Sequence, residues 1–348
     1  PVQLLNTGHL DLKMQARGKL RNFRYSGTVN TEQGAVSLRG TGRINNNFQN
    51  MVFEGPVSAD NMQVDNIIGG GAGLGNATLS ANAKVSILKG GEVTVVADGS
   101  IESMVYRGNY YHDVEYNGTY SGNNVTANIK SNTDRNRFDL NGEVTFGEGM
   151  WFAVKGDVER LELKPFLMMA DWKEPYVSLN IDGEMAGATF DDMAGTLVID
   201  NISLADSNFI YNPGAIYLQA QADSASGKRL QIMSSFLEAE MYGDYYFSTI
   251  GKELRHALHP YLPSAISLPE EDDSGNGIND FRFHILLKNT EDLSYAFALP
   301  FYNVDHATIA GNIRAMDKSA VQLNAHFPRL MFGKNDLREA VLPTLDWM

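Results

Sequence analysis

The sequence predicts an all-β protein: a long, curved antiparallel sheet that forms a β-groove with an apolar interior, plus one or two short helices. Three observations predict this fold. Apolar and polar residues alternate over much of the 348-residue chain, many of the 33 glycines fall in phase with the apolar positions, and few segments have a helical period. Alternation with a period of two is typical of strands that bury one face.

Strands with the same pattern recur along the chain. In Val114–Tyr120 the even positions are apolar or glycine and the odd positions are polar, and 138–144 and 179–185 repeat this form. Every apolar side chain of such a strand lies on one face, and antiparallel sheets tolerate a second face in water. The sequence therefore predicts a sheet assembled from degenerate repeats.

Glycine occupies the apolar face of these strands, two residues after a large side chain. A glycine there makes room where the inner face of a strongly curved sheet is crowded, or it marks a bend or bulge. Asn-Gly and Asp-Gly pairs also form hairpin turns, which explains some of the glycines. Further copies of the pattern are centred on Gly18, Gly27, Gly99, Gly108, Gly156, Gly243 and Gly311.

Two segments are predicted to be helical. Residues 249–259 place Ile250, Leu254, Ala257 and Leu258 on one face, and Pro260 follows. This spacing predicts an amphipathic helix, which we expect to cover an open end of the sheet; docking of a partner is the alternative. A short helix is also predicted over 335–342, with Asn335 as its cap.

Composition divides the chain into three parts. Residues 1–268 are predicted to form a repeating β-groove, 269–280 an acidic loop, and 281–348 a further groove repeat that includes the C-terminal helix. The Gly69–Gly75 run is predicted to be a turn. The chain begins at Pro1 without a leader or a membrane-spanning run, so we expect an internal piece of a longer protein.

The residue inventory argues against several classes of function. The 42 Asp and Glu outnumber the 28 Lys and Arg, giving a net charge of −14, and a nucleic-acid partner would require a basic surface. Without Cys there is no thiol nucleophile and no disulfide framework. No nucleophile elbow occurs, and the glycine run lacks the ending of a phosphate loop. We expect no enzyme activity, no cofactor and no catalytic residue.

Two weak metal patterns are interpreted as ordinary surface. His256 and His259 lie three residues apart on the predicted helix, without a third ligand nearby in the sequence. The acidic loop resembles a calcium loop from Asp272 onward, but Phe283 stands where a bidentate Glu is needed. No metal site is therefore expected.

The apolar face itself is the candidate site. It is either the core between two facing sheets or a trough open to acyl chains, and alternation alone does not separate these interpretations. The residues assigned to this face are Tyr116, Tyr120, Val125, Ile129, Phe138, Leu140, Val144, Phe152, Val154, Leu179, Ile181, Leu197, Ile199, Leu230, Ile232, Phe281, Phe283, Ile285, Leu287 and Leu323.

Several of these segments resemble one known family. The segments 60–66, 103–110, 114–120, 191–197 and 237–245 resemble the TamB branch of the AsmA-like proteins, in the form found in Bacteroidetes. The resemblance covers roughly residues 1–330, through degenerate repeats of limited individual specificity.

That resemblance implies a non-enzymatic conduit or chaperone segment whose repeats form a hydrophobic groove, the β-taco. The chain would be the periplasmic part of an inner-membrane-anchored envelope protein of a Gram-negative bacterium, acting in lipid transport and outer-membrane assembly. Its implied partners are phospholipid acyl chains or hydrophobic client strands. An outer-membrane barrel of the Omp85 type, similar to TamA, would bind through regions outside this chain. Two alternatives stay open: an outer-membrane β-barrel, and a surface adhesin or carbohydrate-binding β protein.

Overall fold

A computed structural model describes most of the chain, and strands account for 73% of those residues. All 21 strands belong to one antiparallel sheet that is not closed, so the all-β prediction is confirmed. The described residues are 8–45, 48–68, 73–163, 172–207, 209–223, 227–258, 279–297, 299–314 and 320–347.

The sheet divides into two compact units. The first comprises Pro1–Gly147 and Val154–Ser178, and the second comprises Glu148–Ala153 and Leu179–Met348. The predicted boundary was the acidic loop at 269–280, and its residues up to 278 lie outside the described residues. That boundary stays a prediction.

The first unit is a meander in which each strand pairs with the next along the chain, from β1 to β10. One short helix, α1, interrupts it between β4 and β5. The elements are β1 (Asp11–Lys19), β2 (Asn22–Thr31), β3 (Gly34–Ile44), β4 (Met51–Gln63), α1 (Val64–Ile68), β5 (Leu74–Ile87), β6 (Val93–Tyr106), β7 (Asn109–Ser121), β8 (Asn124–Asn132), β9 (Arg137–Phe146) and most of β10 (Met150–Glu162).

The second unit continues the antiparallel pairing with shorter strands and two helices. In this unit β12 pairs with β14, and β17 pairs with β19. The short strands β13 and β18 therefore lie outside the main order of neighbouring strands. The elements are most of β11 (Tyr176–Gly187), a 3-10 turn at Phe190–Asp192, β12 (Ala194–Asp206), β13 (Phe209–Tyr211), β14 (Ile216–Asp223), β15 (Gly227–Met233), β16 (Leu237–Asp244), α2 (Phe247–Leu258), β17 (Asp280–Leu287), α3 (Glu291–Phe297), β18 (Phe301–Asn303), β19 (Ala307–Arg314), β20 (Ala320–Phe332) and β21 (Asn335–Trp347).

The predicted amphipathic helix is confirmed as α2, which begins two residues earlier than expected. Ile250 of this helix packs against a buried cluster of Tyr245, Phe281 and Ile313. Its expected role as the cover of an open end of the sheet stays a prediction. Neither α1 nor α3 was predicted. Both are short, and seven residues or fewer carry too little periodicity to separate a helix from a turn.

The predicted C-terminal helix at 335–342 is wrong, because these residues belong to the strand β21. Phe332 pairs with Asn335 across a two-residue turn in which Gly333 has a φ of +57°. A glycine with positive φ suits a tight hairpin. The hairpin directs residues 335–347 back along β20, and the ladder of backbone hydrogen bonds outweighs the local cap signal of Asn335.

The interpretation of the glycines is mostly right, with one correction. Gly18, Gly27, Gly99, Gly156, Gly243 and Gly311 lie within strands, as expected for the apolar face. Gly108 instead lies in the turn between β6 and β7, with a φ of +79°, because Asn109 already pairs with Tyr106. Of the Gly69–Gly75 run, residues 69–72 lie outside the described residues, and Leu74 begins β5 as the alternation predicted.

Candidate functional site

The register of the first unit aligns small residues into a row that crosses six strands. Gly55 pairs with Ala83, Ala83 with Ala97, and Ala97 with Gly118. Gly118 then pairs with Ala127, which pairs with Gly142. We call these six residues the small-residue row. Antiparallel partners directly opposite one another share a face, so the row runs across β4–β9 on the apolar side.

Larger apolar residues line both sides of the small-residue row. Tyr116 pairs with Ile129, which pairs with Leu140. On the other side, Tyr120 pairs with Val125, and Val125 pairs with Val144. Six of the predicted groove residues therefore form two continuous rows across β7–β9. The same two rows continue across β4–β6 through Val57, Ala81 and Gly99 on the first side and Phe53, Val85 and Val95 on the second.

Glycine in these rows permits close approach between neighbouring strands. At Gly118, a Cβ atom would lie 2.9 Å from the carbonyl oxygen of Thr126. At Gly99 it would lie 2.7 Å from the Cα of Ala81. Backbone atoms of the adjacent strand thus occupy the space that a side chain would need, as expected for glycines that accommodate curvature.

The predicted residues on the apolar face of the first unit are not fully buried. Phe138, Leu140, Val144 and Val154 are only half-buried, and Ile129 keeps 39% of its surface accessible. A core residue is typically buried below a tenth of its surface, so these side chains do not form a closed core. Tyr116, Val125 and Phe152 are half-buried as well, and Tyr120 is 41% exposed.

An apolar cavity of about 430 Å³ lies on this face at β1–β4. Phe53 meets Phe23 and Tyr25 edge to face, with ring centroids 6.2 Å and 6.0 Å apart. Burial raises the pKa of Tyr25, so its phenol stays neutral against the apolar wall. These three rings are not among the residues predicted from the sequence, although Tyr25 stands two residues before Gly27 in the repeat pattern. Met14, Leu38 and Val57 complete the wall.

The opposite face of the same strands is polar. Ser58 pairs with Ser37 and with Ser80, and this hydroxyl row extends to Thr28 and Ser100. Thr28, Ser37, Ser58 and Ser80 of this row line a second cavity, of about 730 Å³, together with Leu38, Val57 and Ala81. None of the described residues that line this cavity is aromatic.

The predicted residues of the second unit also fall into continuous rows. Leu230 pairs with Met241, which pairs with Phe283. Ile232 pairs with Ala239, which pairs with Ile285. Leu323 joins the first row through Gly311 of β19, and Leu197 joins the second through Leu218 of β14. Leu287 pairs instead with Leu237, and Ile199 with Ile216. All of these predicted residues are half-buried, as are Leu179 and Ile181 of β11.

Phe281 differs from the other predicted groove residues, because it belongs to a core. It is 4% exposed and packs with Tyr245, 2% exposed, and Ile313, 2% exposed. The Tyr245 and Phe281 rings meet edge to face at 6.3 Å. Ile250 of α2 covers this cluster, so the apolar face is closed at this point in the second unit.

Polar contacts attach the first turn of α2 to the sheet. Asn279, which is fully buried, accepts a hydrogen bond from the Tyr246 backbone N–H at 2.7 Å and donates one to the Thr249 hydroxyl at 2.8 Å. The Ser248 hydroxyl donates to Asp191 at 2.6 Å.

Lys228 joins the same attachment. Its Nζ lies 2.9 Å from a carboxylate oxygen of Asp192 and donates to the Tyr245 carbonyl at 3.1 Å. The hydrogen bond from Lys228 holds the pKa of Asp192 below its usual value. We call these residues the helix anchor: Asp191, Asp192, Lys228, Tyr246, Ser248, Thr249 and Asn279.

The structure describes little of the two weak metal patterns. His259 and residues 269–278 of the acidic loop lie outside the described residues, as does the side chain of His256. Within the described part of the chain, no group of three or more His, Asp or Glu side chains is placed to hold a metal ion. Among those same residues, no helix has both the length and the apolar character needed to span a membrane.

Comparison with known proteins identifies no relative: no family model, no curated protein and no solved structure matches the chain. The family resemblance noted in the sequence therefore remains an expectation.

Proposed function

We propose that this chain is a non-enzymatic conduit or chaperone segment for hydrophobic chains. One observation carries the proposal: the apolar rows of the first unit run unbroken and in register across β4–β9, yet their side chains are only half-buried. A folded protein gains free energy by burying such a surface, so one that leaves it accessible is suited to a hydrophobic ligand.

Acyl chains fit this surface better than a compact polar ligand does. Each buried methylene contributes about 0.8 kcal/mol, so a long chain gains affinity from continuous apolar contact without a specific pocket. The hydroxyl row and the charged side chains lie on the opposite face, where they keep the protein solvated. Hydrophobic client strands have the same alternation and are the second class of cargo in this proposal.

The envelope setting is part of the same proposal and rests on the resemblance to TamB. In that setting the chain is the periplasmic part of an inner-membrane-anchored protein of a Gram-negative bacterium. It acts in lipid transport and outer-membrane biogenesis, and an Omp85-type barrel binds elsewhere in the full protein. No nucleic acid takes part, as the net charge of −14 suggests.

Site-specific photocrosslinking tests the proposal. A photoreactive residue at Leu140 or Ile181 lies on the apolar face, and one at Asn141 or Asp182 lies one residue further along the same strand, on the exposed polar face. We expect phospholipid to be labelled from the first pair and not from the second when the chain is produced in a bacterial envelope.

The matched positions decide the outcome. Equal labelling from Leu140 and Asn141, or from Ile181 and Asp182, contradicts a lipid-carrying face. Labelling of polypeptide in place of lipid from the apolar positions favours client strands as the cargo.

A further inference from the structure

Three neighbouring turns at one end of the first unit each present an exposed apolar side chain. The turns join β1 to β2, β3 to β4 and β5 to β6, and alternate turns of an antiparallel meander lie at the same end of the sheet. Leu20 is 59% exposed, Phe48 60% and Leu88 43%. A single exposed apolar residue is ordinary on a protein surface, but one on each of three adjacent turns calls for a physical reason.

Hydrogen bonds join the three turns to one another. The backbone N–H of Ile44 donates to the Leu20 carbonyl at 2.8 Å, which attaches the first turn to the second. The backbone N–H of Lys89 donates to the Asn50 side chain at 3.3 Å, which attaches the third turn to the second. The turns therefore form one surface. We call it the turn surface, and it comprises residues 19–21, 43–45, 48–50 and 88–92.

Phe48 occupies its turn against its own backbone preference. Its φ is +54°, a left-handed conformation that bulky residues rarely adopt and that Gly or Asn takes more easily. Its backbone N–H donates to the Asn45 carbonyl at 3.1 Å, so the turn is closed by a hydrogen bond that does not need the ring. Because most of the ring stays accessible, packing within the chain does little to offset the strain. Strain of this kind is typical of functional positions.

Basic side chains surround the apolar tips. Lys19, Arg21, Arg43 and Lys89 are all exposed, and Glu92 is the one carboxylate among the residues of the turn surface. Arg21 and Arg43 line a cavity of about 380 Å³ together with two asparagines. In the chain as a whole, 42 Asp and Glu outnumber 28 Lys and Arg. The turn surface therefore has the opposite sign of charge from the protein and attracts anions.

We propose that the turn surface docks on a lipid bilayer that contains anionic phospholipid. Leu20, Phe48 and Leu88 enter the boundary between the headgroups and the acyl chains, while the basic side chains bind phosphate groups at the surface. The cavity lined by Arg21 and Arg43 receives one of these phosphates. The docking surface consists of turns, whereas the proposed conduit consists of strand faces, so this inference does not depend on the proposed function.

The arrangement favours a bilayer over an acidic protein partner. The three apolar side chains belong to separate turns, and none of them lines the cavity between the arginines. A protein partner would have to supply a matching pocket for each tip, since stable protein interfaces are closely packed at their centre. A fluid bilayer accommodates separate tips without such pockets. Exposed apolar residues beside Lys and Arg are the combination found in segments that bind membrane surfaces.

Flotation of the purified chain with lipid vesicles tests the proposal. The vesicles consist of phosphatidylcholine alone, or of phosphatidylcholine with about one-third phosphatidylglycerol. The unmodified protein should float with the second kind and not with the first, and about 0.5 M NaCl should release most of it. Arg43→Gln should weaken binding about fivefold, because one cation is lost from the surface. Phe48→Asn should weaken it about tenfold, because one apolar tip is lost.

The opposite end of the same meander supplies matched controls. Tyr110 stands beside the turn between β6 and β7 and is 75% exposed, and Arg135 lies in the turn between β8 and β9 with a side chain that is 71% exposed. Tyr110→Asn and Arg135→Gln make comparable chemical changes there and should leave flotation unchanged. The Tm of Phe48→Asn should stay equal or rise, since Asn adopts a positive φ more easily than Phe does.

Four results would overturn the inference. The first is no flotation of the unmodified protein, or flotation that does not depend on phosphatidylglycerol. The second is an effect of Arg43→Gln with none of Phe48→Asn, which points to an acidic polypeptide as the occupant. The third is an equal loss in either control variant, and the fourth is weaker flotation of Phe48→Asn together with a lower Tm. Photocrosslinking from Leu140 reports on the conduit separately, because that residue lies on β9 and outside the turn surface.

Discussion

The two units use the same alternating strands and leave most of their apolar residues half-buried, but one part of the second unit forms a core. In the first unit the rows beside the small-residue row stay half-exposed, with Tyr120 and Ile129 about two-fifths accessible. In the second unit, Phe281 and Ile313 occupy equivalent apolar positions and are almost fully buried. The difference lies in what covers the strands, because Ile250 of α2 packs on that cluster. A single short helix thus turns part of an open face into a core.

Most of the described contacts that hold this cover are polar. Asn279 and Asp191 bond to side chains in the first turn of α2, and Lys228 binds Asp192 and the Tyr245 carbonyl just before the helix. Ile250 supplies the apolar contact. The first unit has no such anchored helix among its described residues, since its only helix is the five-residue α1. A local difference in sequence, which supplies an anchored helix in one unit and not in the other, is therefore enough to separate a closed apolar face from an open one.

Truncation of a buried aromatic ring should give the largest difference between the two units in the free energy of unfolding. Phe281→Ala should lower the free energy of unfolding by about 3–5 kcal/mol, because it removes a buried ring and leaves a cavity. Leu140→Ala should cost about 1 kcal/mol, because that side chain is half in water. Urea denaturation measures both, with Asn141→Ala as the exposed control. Equal losses at Phe281 and Leu140 would mean that the first face is as well covered as the second.

A glycine pair should give a smaller effect, of opposite sign in the two units. Gly99→Ala should destabilise by about 1–3 kcal/mol, because backbone atoms of β5 occupy the Cβ position. Gly251→Ala in α2 meets no atom within 4 Å and should stabilise by about 1 kcal/mol. Thermal unfolding of both variants checks the prediction. A neutral Gly99→Ala would show that the strands do not approach as closely as described.

Acidification should lower the stability of the second unit, which contains the helix anchor. We expect this to be the smallest of the predicted effects. The pKa of Asp192 is lowered in the folded state, so its contribution to stability is fully present above the ordinary Asp pKa and is lost as the pH falls through the lowered value. Asp192→Asn should remove this part of the acid sensitivity. Urea midpoints at neutral pH and near pH 3 measure the change.

Asp139 of the first unit provides the comparison for that experiment. Its carboxylate lies 3.6 Å from Lys130, and both side chains are about half-exposed. Pairs of this kind are worth little, so Asp139→Asn should leave the urea midpoint nearly unchanged. A larger shift for Asp139→Asn than for Asp192→Asn would contradict the assignment of the helix anchor.

The strand pattern of the fold was predictable where it is local. Alternation in Val114–Tyr120 and 138–144 predicts strands that the structure has, because a period of two is a property of consecutive residues. For residues 335–342 the same reasoning predicted a helix wrongly. Asn335 carries a helix cap signal, while its pairing partner Phe332 belongs to the preceding strand. The strand position predicted for Gly108 was wrong for a related reason. Glycine is favoured both in a turn and in a crowded strand, so its presence alone does not separate the two.

The candidate site was predictable only in part. The phase of Tyr116, Tyr120 and Leu140 follows from alternation, and their register confirms that they share continuous rows. Phe23 and Phe53 are brought together by β2 and β4, which are not adjacent in the chain, so no local signal links them.

Local sequence is enough to establish that the protein is all-β, which face of each strand is apolar, and where glycine interrupts that face. These are properties of neighbouring residues and of the two-residue period of a strand. Only the tertiary structure decided where the apolar face stays open and where it becomes a core. That outcome depends on register between strands and on the docking of α2 over Phe281. Burial is a relation between residues far apart in the chain, and alternation is identical in both cases.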